Sequence, residues 1–142
     1  MIRKFQDADI NKVAKIWLDT NVSAHDFIPT HYWKSNYELV KGMLPQAEVY
    51  VFEQGESHAI QGFIGLNGEY IAGIFVCGEA QSSGIGTQLL DFAKARKGRL
   101  TLNVYRRNVR AVTFYQREGF LIQEESIDTD TGEVEYLMEW AL

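Results

Sequence analysis

Two short stretches of this 142-residue chain carry residue types that can do chemistry. The first is Gln81-Ser82-Ser83-Gly84-Ile85-Gly86-Thr87, set between an apolar stretch and a helical one. Gly84 and Gly86 let the backbone come close to a ligand. Free N–H groups at the start of the next helix point at an anion, and the helix dipole favours negative charge there. The segment therefore suits a diphosphate. It has no Gly-Lys-Ser/Thr, so it is not a Walker loop, and Leu89 stands where a dinucleotide fingerprint has its third glycine. A tight strand-to-helix turn that binds nothing would look the same.

The second stretch is Asn108-Val109-Arg110-Ala111-Val112-Thr113-Phe114-Tyr115-Gln116-Arg117-Glu118-Gly119-Phe120. Asn108 can cap a helix while its side chain reaches a polar group, and Ala111 leaves room for close approach. Tyr115 falls almost two turns further on, on about the same face. A phenol there can protonate a leaving group or hydrogen-bond a sulfur. The plain alternative is a capped amphipathic helix with a core aromatic, and Phe114 and Phe120 read as core.

The elements that must position these residues follow from hydrophobic period and turn signals. Residues 2–6 alternate as a short strand. Asp7 or Asp9 can cap a helix with its stripe at Ile10, Val13, Ala14 and Trp17. Residues 21–30 read as a connection. A second helix passes through Trp33, Tyr37, Val40 and Leu44 and stops before Pro45. Residues 49–52, 60–66 and 70–77 read as strands, the last two joined by the tight-turn pair Asn67-Gly68. Ile85, Leu89, Leu90 and Ala93 form a helical stripe, 100–105 a strand and 108–118 a helix that Gly119 ends. Residues 120–127 and 134–140 are two last strands. The order β-α-α-β-β-β-α-β-α-β-β predicts a mixed sheet covered by helices, an α+β or α/β sandwich in one domain spanning 1–142.

Bulk properties narrow the function. The N-terminus lacks the apolar core of a signal peptide, and no apolar run is long enough to span a bilayer. One cysteine, Cys77, excludes an internal disulfide and a thiolate cluster. Three histidines without ligand spacing give no sign of a metal. These features predict a cytoplasmic protein that acts away from membranes. The net charge is −5, yet residues 91–110 hold seven bases and one acid, and residues 118–142 hold eight acids and no base. A local basic patch on an acidic protein suits a small polyanion and argues against a long nucleic acid.

Taken together, the two stretches resemble the GNAT superfamily of N-acetyltransferases. Gln-x-x-Gly-x-Gly after an apolar strand is similar to its acetyl-CoA phosphate loop. Asn-x-x-Ala-x-x-Phe-Tyr-x-x-x-Gly-Phe is similar to its second conserved segment, and the two stand in the family's order. His25-Asp26-Phe27, the helix around Trp33 and Leu100-Thr101-Leu102-Asn103-Val104 resemble small YjaB-type bacterial acetyltransferases. The resemblance implies a GNAT-like sheet of about seven strands with about four helices, the 70–77 and 100–105 strands splaying apart. It implies acetyl-CoA as co-substrate, with no metal. The pantetheine arm would pair with Ile74, Phe75 and Val76. The diphosphate would rest on Gln81, Ser82, Ser83, Gly84, Ile85, Gly86 and Thr87, with Asn103, Asn108 and Ala111 completing the cofactor site. Tyr115 would face the thioester sulfur and protonate the departing thiolate, and a backbone N–H near Val76 would hold the oxyanion.

Many protein-acetylating relatives carry a glutamate where this chain has Asn103, and an amide cannot take a proton. Glu69 and His25 are then the candidate bases, Glu69 acting through water and His25 by its pKa. The expected acceptor is an amine of a small molecule, a peptide or a protein lysine. A non-catalytic acyl-CoA-binding module is the alternative, and a homodimer is left open.

Overall fold

The computed structural model describes residues 1–142. Seven strands form one sheet in the order β1-β2-β3-β4-β5-β7-β6. They are β1 Ile2–Lys4, β2 Glu48–Glu53, β3 Ile60–Asn67, β4 Tyr70–Val76, β5 Arg99–Tyr105, β6 Leu121–Ile127 and β7 Val134–Ala141. Four α-helices complete the chain: α1 Ile10–Ala24, α2 Thr30–Met43, α3 Ile85–Arg96 and α4 Val109–Arg117. All pairings are antiparallel except β4–β5, which is parallel and bridged by α3. The element order is the one expected from the sequence. The connection expected at 21–30 is shorter, because α1 runs on to Ala24. Asn21 keeps its helical place by donating to Trp17 O, and its carbonyl accepts the His25 N–H.

Strand alternation divides the hydrophobic residues between two faces. Leu100, Leu102 and Val104 of β5 and Met138 of β7 pack with Leu89, Leu90 and Ala93 of α3 and with Tyr115 and Phe120. On the other face Val49, Val51 and Phe63 pack against Val13, Ala14 and Ile16 of α1. Thr101, Asn103 and Tyr105 therefore share the α1 face, as do Glu135, Leu137 and Glu139 opposite them on β7.

One irregularity decides where the sheet opens. Gly65 opposes Gly73 and Leu66 opposes Ile71, so Ala72 is an extra residue in β4. A β-bulge bends its strand and ends regular pairing. Here the β4–β5 ladder holds only Tyr70↔Thr101 and Ile71↔Leu102 and stops at the bulge. Beyond it the two strands diverge. Gly73 has no room for a side chain, since a Cβ there would run into the Phe75 ring.

Candidate active site

The divergence leaves one edge of β4 free. Cys77 N–H donates to Gln61 O across to β3 at 2.8 Å. By alternation, Val76 and Ile74 turn their backbone groups the other way, into the gap. Gln81 Nε2 meets Val76 O there at 3.0 Å. The gap widens into a cleft of about 1180 Å³ that runs through the sheet. Ile74, Phe75, Val76, Gln81, Ser82, Gly84, Gly86, Thr87, Asn103, Asn108, Ala111 and Tyr115 all line it. Ser83 and Ile85 do not. Ser83 turns its hydroxyl onto Ala80 O, and Ile85 is buried in the core.

The turn before α3 has the form of an anion cradle. Ser82 at φ 66° and Gly84 at φ 87° are both left-handed, and Gly84 caps the helix. The first N–H groups of α3 have no partner within the helix and face the cleft end. Arg110, from the first turn of α4, donates to Gln81 Oε1 at 2.8 Å and to Ser82 Oγ at 3.0 Å. A guanidinium thus stands over the loop. Of the arginines around Asn108 it is the one committed there, since Arg106 pairs with Glu125 and Arg107 with Glu133. Helix N-terminus, close backbone and fixed cation together fit a diphosphate.

Asn108 accepts the Ala111 N–H on Oδ1 at 3.2 Å, which caps α4. Its Nδ2 lies 3.2 Å from His25 Nε2, and His25 Nδ1 lies 3.1 Å from Asn21 O. The cap fixes the amide, and the amide fixes the ring: Nε2 accepts and Nδ1 carries the proton. Burial holds the His25 pKa below its usual 6.5. The ring stacks on Trp33 at 5.2 Å and meets the edge of Tyr105. His25 lines the cleft, but as a neutral ring with both nitrogens engaged.

Tyr115 is 8% exposed, packed between Phe114 and Phe120. Burial, with a smaller push from Tyr70, raises its pKa far above the usual 10, so it stays a phenol. Phe114 is also a wall of the cleft, and a Cβ on Gly86 would sit 3.4 Å from its ring. Cys77 is half-buried, and burial raises its thiol pKa, which suits an inert thiol.

Glu69 is not part of this cleft. It sits in the turn before β4, where its carbonyl accepts the Thr101 N–H and its carboxylate pairs with Arg99 at 3.5 Å. The carboxylate that does line the cleft is Glu135 of β7, the only one among its walls. Glu135 opposes Tyr105 on β5. On the same face Tyr70 donates its phenol to Asn103 Oδ1 at 2.9 Å. Sequence reading missed Glu135. The signal was there in part, because alternation along 134–140 sets Glu135 opposite the apolar Tyr136, Met138 and Trp140.

The acetyltransferase (GNAT) domain family matches residues 45–122. The chain is 32% identical to the peptidyl-lysine N-acetyltransferase YiaC of Escherichia coli strain K12, over 99% of this chain and 96% of that one.

This chain belongs to the GNAT acetyltransferase family.

The apo-form solution structure of YjaB from Escherichia coli superposes with a TM-score of 0.88 at 26% identity, covering 99% of this chain and 96% of that one. The PaiA N-acetyltransferase of Thermoplasma acidophilum, solved in complex with coenzyme A, shares the fold with a TM-score of 0.80 at 20% identity, over 100% and 98% of the two chains. With GNAT membership comes the reaction: an acetyl group passes from acetyl-CoA to an amine. No helix is long and apolar enough to cross a membrane.

Proposed function

We propose that this GNAT enzyme acetylates lysine side chains of peptides or proteins. The observation that carries this reading is the α1-face end of the cleft, where Tyr70, Tyr105 and the Glu135 carboxylate converge without a basic partner. An extended alkyl ammonium matches such a site: aromatic walls for the stem and a carboxylate for the charge. YiaC, at 32% identity, is named for the same acceptor class.

When bound, acetyl-CoA supplies the acetyl thioester. The backbone groups of Ile74 and Val76 hold the arm as a neighbouring strand would. Gln81, Ser82, Gly84, Gly86, Thr87 and the N–H groups of Ser83 and Ile85 take the diphosphate, with Arg110 as counter-charge. Ala111 gives clearance, Asn103 steadies Tyr70, and Asn108 joins the arm's polar groups to His25. A backbone N–H near Val76 stabilises charge on the reacting carbonyl oxygen. Tyr115, kept protonated by burial, hands its proton to the departing sulfur.

The test is release of free thiol from acetyl-CoA across lysyl peptides, free α-amines and small polyamines, with the product located by mass spectrometry. Acetyl-lysine formed faster than any other product is expected. Acetylation confined to α-amines or small amines would overturn the lysine assignment.

A further inference from the structure

We infer that Glu135 is the residue that binds the acceptor ammonium and takes its proton. The inference deepens the lysine reading above and rests on it. Three observations carry it. Glu135 is the only carboxylate in the cleft wall. Neither a hydrogen bond nor an ion pair holds its carboxylate, whereas Glu69 is paired with Arg99 and Glu133 with Arg107. It also lies on the α1 face, while Tyr115 enters the gap from the α3 and α4 face. Amine and leaving sulfur are thus served from opposite sides of the opened sheet.

Tyr70 links the two. Its phenol pKa is raised by burial and further by the Glu135 charge, and Tyr70 in turn adds to the rise at Tyr115. Glu135, Tyr70 and Tyr115 all line the same cleft. Burial, then Asp128, raises the Glu135 pKa as well, which makes it a better proton acceptor near neutrality.

The ammonium gives one proton to the Glu135 carboxylate. The freed nitrogen attacks the thioester carbonyl carbon, a C–N bond forms and the C–S bond breaks. Sulfur leaves with that electron pair and takes the phenolic proton of Tyr115. The second proton on nitrogen restores the phenol through solvent. Glu135 returns its proton to water, so one proton is released per turnover. Groups facing Glu135 are Tyr105 from β5, Tyr70 from β4, Tyr32 from α2 and Asp128 from the β6–β7 turn. His25 shares the cleft, and its ring nitrogens are already bonded. Tyr105 is tied to Asp128 at 2.6 Å, and burial raises all three phenols, so they remain neutral.

The test compares wild type, Glu135→Gln and Glu135→Asp on a lysyl peptide and on an amine that is already neutral at the assay pH. Acetyl-CoA affinity by calorimetry checks that each variant is folded and loaded. Glu135→Gln should lower kcat/KM for the lysyl peptide by about 100-fold. Its loss with the neutral amine should be at least about ten-fold smaller. The acidic limb of the pH profile should vanish in Glu135→Gln and persist, displaced, in Glu135→Asp. Equal losses with both amines, or an acidic limb unchanged in Glu135→Gln, would overturn the assignment. If wild type ignores lysyl peptides, the lysine reading fails by itself, and the same comparison on the cationic amine it accepts decides Glu135.

Discussion

Asn108 and His25, 83 positions apart, meet at 3.2 Å and tie the first residue before α4 to the end of α1. The contact spans the gap, since the two helices lie on opposite faces of the sheet. Because the α4 cap orients the amide, the His25 ring presents Nε2 to the Asn108 amide and Nδ1 to Asn21 O. Its proton should sit on Nδ1, and nitrogen-resolved NMR should show the ring titrating below 6.5. Above pH 6.5 the ring is neutral folded and unfolded; as pH falls below 6.5 the unfolded chain gains the proton first, so this contribution declines. Asn108→Asp should reverse the shift, because a carboxylate facing Nε2 favours the imidazolium. A wild-type ring titrating above 6.5 would refute the arrangement.

Tyr115→Phe should slow acetyl transfer by about ten- to several-hundred-fold with acetyl-CoA affinity little changed. The ring keeps its packing against Phe114 and Phe120, and only the hydroxyl is lost. Steady-state turnover beside calorimetric affinity measures this. Unchanged turnover on a good amine would reduce Tyr115 to a packing residue.

Gly84→Asp and Gly86→Asp should abolish acetyl-CoA binding in folded protein, since each sets negative charge at the start of α3. Gly84→Ala separates charge from strain. At φ 87° it costs about 1 kcal/mol of backbone energy without the charge, and it should still bind. Equal affinity in the Asp and Ala variants by calorimetry would remove the phosphate-loop role.

Far from the cleft, Arg3 grips both oxygens of Asp9 at 2.8 and 3.0 Å and Glu53 at 2.8 Å. Arg3→Met should destabilise by about 2 kcal/mol, because it strands the buried Asp9 carboxylate. Arg3 also holds the Asp9 pKa below its usual 3.8, so the pair's contribution is complete above that value and fades as pH falls beneath it. Denaturant melts of wild type and Arg3→Met at pH 7 and pH 3 should converge at the lower pH. A constant difference would sink the claim.

The element order was legible because each change of period in the sequence is bracketed by a turn signal. Asn67-Gly68, Gly84 and Gly119 stand at such points, and all three glycines have positive φ. The phosphate loop and the α4 cap were legible because they are local: each is set by residues within one turn. The bulge at Ala72 was not, although Gly73 inside a strand pattern was a hint. A bulge is a relation between two strands, and no single strand encodes it. Glu135 was missed for the same reason. Its place in the cleft depends on β7 pairing with β5, about thirty residues earlier in the chain. Glu69 neighbours β4 in sequence, yet it lies outside the cleft walls and pairs with Arg99 at 3.5 Å, a contact between residues thirty apart that no local pattern encodes.

The narrow seam at Tyr70↔Thr101 and Ile71↔Leu102 also bears on how the molecule comes apart. Strands β1 to β4 form one hydrogen-bonded block, and β5, β7 and β6 form another. Two residue pairs are all the ladder they share. What makes them melt as one is side-chain packing beneath α3, where Ile64, Leu66 and Ile71 meet Leu100, Leu102 and Met138. Cooperativity of unfolding is therefore a property of that core and not of the backbone ladder. Amide exchange should show two separately protected blocks once the α3 core is weakened, while a ligand laid along the gap adds a second fastening and merges them again.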